Sequence, residues 1–198
     1  PLLFKLKCEC QSSLSYVQLH MKEVMLMRMN ATFLLRFKAF MIDYIFILVY
    51  LALLFVINVF LFPSLQEFFT GSLIVAQVTG FLMVTFPVSL YFIVFDSPIG
   101  GQSIGKRKTG IQVVNKNGEA ISLLRTTFRT VLKFLPWELS HYLVYRLVYI
   151  GDGEIPFSYY LIGGLIYILI FAYILTAIFN KKKQSLYDIL AGTEVVKR

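Results

Sequence analysis

Residues 131–150 read VLKFLPWELSHYLVYRLVYI. The run is long enough for a helix to cross a bilayer, at about 1.5 Å of rise per residue against about 30 Å of hydrocarbon. It also carries Lys133, Glu138, His141 and Arg146, a load that a lone helix in lipid does not tolerate. Whether it crosses sets the topology of everything around it, and the distribution of positive charge decides the matter.

Of 198 residues, 58% are hydrophobic and 15% charged, with a mean hydropathy of +0.72. A soluble domain is about half apolar and about a quarter charged. The excess lies in blocks: three segments, 39–62, 73–95 and 158–179, are apolar over more than the roughly 20 residues a span needs. Pro87, inside the second, predicts a kink, with Thr85 and Ser89 near enough to satisfy the freed backbone groups.

Six Lys and Arg precede the first span, and the loop 63–72 has none. Seven lie from Lys106 to Lys133, the loop 151–157 has Asp152 and Glu154 but no Lys or Arg, and five follow Asn180. If 131–150 stayed on one side, Lys181–Lys183 would be stranded outside, against the positive-inside rule. If it crosses, every Lys and Arg except Arg146 sits in the cytoplasm or at its boundary. The sequence therefore predicts an all-α transmembrane fold, a four-helix polytopic bundle with spans near 39–62, 73–95, 131–150 and 158–179 and both termini cytoplasmic. A re-entrant dip at Pro136 is the alternative. The net charge of +8 follows this topology and gives no reason to expect a nucleic-acid partner.

Residues 1–30 read as a low-information tail, and 31–198 as the membrane domain. Cys8 and Cys10 form a lone C-x-C with no second pair, which argues against a zinc site; no metal or cofactor is expected.

Asp43 lies in the first span, about 6 Å past its inner edge. Ionisable groups there face the bundle interior and mark functional candidates. Arg36, Asp43, Tyr50, Leu54 and Asn58 share one helical stripe, so the Arg36 guanidinium can snorkel toward the carboxylate. A buried ion pair that fixes helix register explains the same pattern. In 131–150, Tyr142, Tyr145 and Tyr149 fall on the side of Glu138, with His141 and Arg146 flanking. Glu138 and His141, one turn apart, suit a proton relay or plain interhelical glue.

The loop 96–130 contains GGQSIGKRKTG, residues 100–110, one hydroxyl short of a phosphate-binding loop. It follows a span rather than a strand, so the reading is different: Gly101, Gly105 and Gly110 permit turns, and Lys106, Arg107 and Lys108 form a basic cluster facing anionic lipid headgroups. Then GIQVVNKNGEAIS, with its Asn117-Gly118 turn, predicts a cytoplasmic β-hairpin. Leu124, Phe128, Val131 and Leu132, alternating with Arg125, Arg129 and Lys133, predict an amphipathic helix lying on the inner surface.

RFKAFMIDYIFIL at the first span, GGQSIGKRKTGIQVVNKNGEAIS in the loop and KKQSLYDILAGTEVV near the end together resemble the RDD family of bacterial membrane proteins, from about Arg36 to Val196. The family is named for one arginine and two aspartates. The resemblance implies that these are Arg36, Asp43 and Asp188, with Asp96 a weaker match for the last. FLPWELSH is a departure that suggests a subgroup. The resemblance also implies a multi-pass protein of the bacterial inner membrane, with transport, including cation–proton exchange, proposed for some members.

Two functions compete at this stage. One is transport of a small cation coupled to protons, which in so thin a bundle calls for a homo-oligomer, a symmetric dimer being the commonest solution. The other is an accessory or scaffold protein that assembles membrane partners. No Ser or Cys nucleophile or metal set lies beside Glu138 and His141, so an enzyme is not expected. The further expectation is that Arg36, Asp43 and Asp188 form one charged cluster near the cytoplasmic interface.

Overall fold

The computed structural model describes residues 30–198; the expectations for Cys8, Cys10 and the rest of the tail lie outside that range. Helix α1 (Phe33–Val56) starts six positions before the predicted span, where Thr32 accepts a hydrogen bond from the Leu35 amide, and it runs on through a π turn, Ile57–Leu61. After a 3₁₀ turn and the short α2 (Glu67–Thr70), a second rod is built from α3 (Leu73–Gly80), a π turn and α4 (Phe86–Phe95). There follow α5 (Ile104–Thr109), β1 (Ile111–Asn115), α6 (Leu123–Ile150), α7 (Phe157–Phe179), α8 (Leu186–Ala191) and β2 (Thr193–Lys197).

Phe33–Leu61, Leu73–Phe95 and Phe157–Phe179 are long and apolar enough to cross a membrane. Their outward faces are large and apolar, as at Phe60, Ile74 and Ile168, each more than 60% exposed. The starts of α1 and α6 meet the ends of α4 and α7 at one end of the molecule, through Arg36, Arg129, Asp96 and Ser185. At the opposite end Gln77 of α3 meets Arg146 of α6.

Two prolines sit within these rods, and each is answered by a tyrosine. Pro136 cannot donate to the carbonyl four residues back, and the Tyr173 hydroxyl of α7 donates to that carbonyl, Leu132 O, at 2.6 Å. Helix α6 therefore passes Pro136 without the chain reversal of a re-entrant dip. Pro87 likewise leaves the Met83 carbonyl, which receives the Tyr50 hydroxyl of α1. A π turn, Phe81–Thr85, precedes Pro87. Thr85, expected to serve the backbone there, donates to Glu138 instead.

The amphipathic surface helix is corrected. It is the first part of α6, continuous with 131–150, and much of its polar face is packed inside the protein rather than lying open. Leu124, Phe128 and Val131 are exposed, while Thr126, Arg129 and Thr130 are buried. The buried face is the one through which Arg129 reaches Asp188 and Asp96.

The β-hairpin is also corrected. The Asn117-Gly118 turn forms, with Asn115 Oδ1 accepting from the amides of Asn117 and Glu119, but the returning arm makes only one bridge, Val114 to Ala120. Ser122 caps α6 immediately afterwards, so little chain is left to pair. The partner of β1 is β2, antiparallel, in the register Ile111↔Lys197 to Asn115↔Thr193. Asn30 and Ala31 join the same sheet, through the bridge Asn30↔Val196 and the bond from Ala31 N to Val195 O, which brings Asn30 into the domain.

That pairing exposes an internal repeat. QSIGKRKTGIQVV (102–114) and QSLYDILAGTEVV (184–196) share Gln-Ser, then Gly, then Val-Val at one spacing. Each makes a six-residue helix ended by a glycine at φ 64, ψ 37, then a strand. Each glutamine side chain donates to the first strand residue, Gln102 to Ile111 O at 2.9 Å and Gln184 to Thr193 O at 2.8 Å. Val113 pairs with Val195, its own counterpart, so a pseudo-two-fold axis passes between them.

Candidate functional site

Both short helices turn one charged side chain into the interior: Lys106 from α5 and, at the equivalent position of α8, Asp188. Arg36 Nη1 donates to Asp188 Oδ2 at 2.6 Å and Arg129 Nε to its Oδ1 at 2.8 Å. Arg129 Nη1 also reaches Asp96 Oδ2 at 3.3 Å, and Lys106 Nζ meets both Asp96 oxygens at 2.6 Å. The result is an alternating ionic chain, Arg36–Asp188–Arg129–Asp96–Lys106, tying α1, α8, α6, the end of α4 and α5 together. Asp188, Asp96 and Arg129 are buried. Burial alone would raise both carboxyls; Arg129 with Arg36 at Asp188, and Lys106 with Arg129 at Asp96, outweigh it and hold both below the usual carboxylate range.

Asp43 is not part of this chain, which corrects the expected Arg36–Asp43–Asp188 cluster. Its oxygens accept from the Tyr91 hydroxyl at 2.8 Å, the Ser103 hydroxyl at 2.7 Å and the Gly105 amide at 2.7 Å. Arg36 is two helical turns away, about 10 Å of rise, and its Nε is held by the Ala31 carbonyl. Asp43 therefore docks the GGQSIGKRKTG loop onto α1. Gly105 is required at this contact, since a Cβ there would run into the Ala39 carbonyl and the Asp43 carboxyl. Gly101 and Gly110 hold positive φ at the turns on either side.

Lys106 is corrected as well: it is buried and ion-paired rather than facing headgroups, whereas Arg107 and Lys108 are exposed.

Higher on α6, Thr85 Oγ1 donates to Glu138 Oε2 at 2.7 Å and lies 3.5 Å from His141 Nδ1, with Glu138 and His141 3.8 Å apart. Arg146 donates to Gln77 Oε1 at 3.0 Å and stacks 3.6 Å from the Tyr142 ring centre. Tyr145 fits against Gly80, where a larger residue would collide with its hydroxyl. Tyr149, expected on the same stripe, is exposed at the end of the helix.

Spacing alone missed Arg129, Lys133, Thr85 and Gln77. The sequence reading puts Arg129 and Lys133 on the polar side of an amphipathic surface helix. The recurrence of Thr126, Arg129, Thr130 and Lys133 at helical spacing was a usable signal once that face was read as the inner one. A cavity of about 180 Å³ lies between α1 and α7, lined by Arg36, Asp43, Lys106, Arg129 and Lys133 together with aromatic rings. Among the described residues no cluster of three or more His, Cys, Asp or Glu is placed to hold a metal ion.

Apolar rods outside and a buried ionic chain at one end define an integral membrane protein. The chain belongs to the RDD family, whose sequence profile matches residues 30–192 and so includes Arg36, Asp43, Asp96 and Asp188. No curated protein and no solved structure matches it.

Proposed function

We propose that this protein exchanges a small cation for protons across the membrane, with α6 supplying the path. The observation that carries the reading is the group Thr85–Glu138–His141, held between α6 and the second rod. Glu138 is nine residues beyond Arg129, about 14 Å by helical rise, or half the depth of a bilayer. A carboxylate and an imidazole sharing one hydroxyl at that depth suit alternate loading by a proton and a metal cation. In this reading α6 is a fourth crossing, and the lysine- and arginine-rich end with both termini faces the cytoplasm. A second copy of the chain completes the wall around the path.

The saturated bonding of Asp43 and Asp188 favours a different role for the family's residues: they hold the fold, and the coupling chemistry belongs to Glu138. The accessory or scaffold reading draws on the same saturation of Asp43 and Asp188. Proton movement driven by sodium, lithium or potassium in reconstituted vesicles separates the two. Flux by the natural chain, lost in Glu138→Gln at matched insertion, is the expected result. Absence of flux from well-inserted natural protein with every cation would hand the case to the scaffold.

A further inference from the structure

The cavity between α1 and α7 carries more positive charge than its carboxylates balance. Of the four cations lining it, Arg36, Lys106 and Arg129 are paired with Asp96 and Asp188. Lys133 is the exception. Among the described residues no carboxylate lies within ion-pair distance of its Nζ, which lies over ring faces, 3.5 Å from the centre of Phe92, 5.1 Å from Phe134 and 5.7 Å from Phe40. Asp43, on the same cavity, spends its oxygens on Tyr91, Ser103 and Gly105. A second donor is also unspent: Arg36 Nη2 is buried and has no hydrogen-bond partner.

The mouth of the cavity is apolar. Phe37, Phe40 and Ile174 line it and are 51%, 38% and 37% exposed on the outer surface of α1 and α7. Arg36 marks its depth, in the first turn of α1, where the chain passes from the charged end into the apolar rod. An ammonium and a guanidinium N–H, both unspent, behind an apolar mouth at that level, match a phosphate group attached to or lying beside hydrocarbon.

We propose that this cavity binds a phosphate group, with Lys133 Nζ and Arg36 Nη2 as its donors. The lateral mouth fits the phosphate of an anionic lipid headgroup, and free inorganic phosphate presents the same chemistry. The site is independent of the cation path, and its test does not read flux.

The full chain, purified in zwitterionic detergent, is titrated with phosphatidylglycerol and, separately, with inorganic phosphate. Bound copies are counted by native mass spectrometry and the thermal midpoint is followed. The expected result is one phosphatidylglycerol retained per chain, with affinity about tenfold weaker in Lys133→Gln, the size of one charge-assisted hydrogen bond. Lys133→Arg should keep binding. Ala177→Phe, which fills the cavity without touching a charge, should displace the ligand. Arg107→Gln, on the exposed side of α5, should change nothing. Saturation by inorganic phosphate with the same Lys133 dependence would identify the free anion as the source. Failure of the natural chain to bind either, or binding that survives Lys133→Gln and falls in Arg107→Gln, overturns the site.

Discussion

At Asp188 two guanidinium groups and one hydroxyl converge on a carboxylate with no access to water. Removing its charge strands Arg36 and leaves Arg129 only its longer contact with Asp96, and breaking a buried pair in this way costs about 3–5 kcal/mol. Asp188→Asn should therefore lower the thermal midpoint in detergent sharply, seen by circular dichroism. Because the folded Asp188 and Asp96 carboxyls lie below the usual value, their contribution is fully present above the unfolded value of 3.8 and drains away as pH falls beneath it. Asp188→Asn should flatten that acid limb of the stability profile. From sequence, the family resemblance picked out Arg36, Asp43 and Asp188, and hydropathy placed Asp43 inside a span. The partners were hidden: two residues seven apart on one helix look paired until a third segment brings a nearer carboxylate. Arg129 went unrecognised because charge at helical spacing reads as a wet face unless the surroundings are known to be lipid.

Elements were more legible than their pairings. The second rod and α7 match the predicted spans, since long apolar runs leave a helix no alternative in lipid. The apolar run begins later than α1 because Arg36 and Lys38 interrupt it, whereas the cap at Thr32 sets where the helix begins. The hairpin expectation fails for a local reason: a sound turn signal is followed by an arm that a helix cap consumes. Nothing in residues 111–122 announces a strand that arrives from the other end of the chain. The docking of α5 on α1 yields a test at this scale. Gly105→Ala forces a methyl group between the Ala39 carbonyl and the Asp43 carboxyl. Limited proteolysis in detergent should then cut within 97–110, where the natural chain resists, while Gly164→Ala, with open space around it, should leave the pattern unchanged.

For the whole molecule the decisive quantity is which side of the bilayer each loop occupies. The proposed topology of four crossings predicts residues 116–118 on the cytoplasmic side and 152–154 on the other. Single cysteines in place of Asn117 and Asp152, in a chain whose own cysteines are replaced, should report this. A membrane-impermeant thiol reagent applied to intact cells is expected to label position 152 and to reach position 117 only after permeabilisation. Labelling of both from one side would remove α6 from the set of crossings, and the cation path with it.

Val113 faces Val195, and four positions after each glutamine the two halves diverge, to an ammonium at Lys106 and a carboxylate at Asp188. Two identical halves related by a true dyad would have to bury the same sign twice at this place, either two lysines competing for acidic partners or two aspartates competing for basic ones. Joining the halves in a single polypeptide lifts that restriction. Each can specialise while the shared outline survives: one repeat gives the ionic chain a base, Lys106, and the other an acid, Asp188, with Arg36, Arg129 and Asp96 supplied from outside both. The paired repeats have the outline of a small dimer, marked by a difference that no homodimer could have.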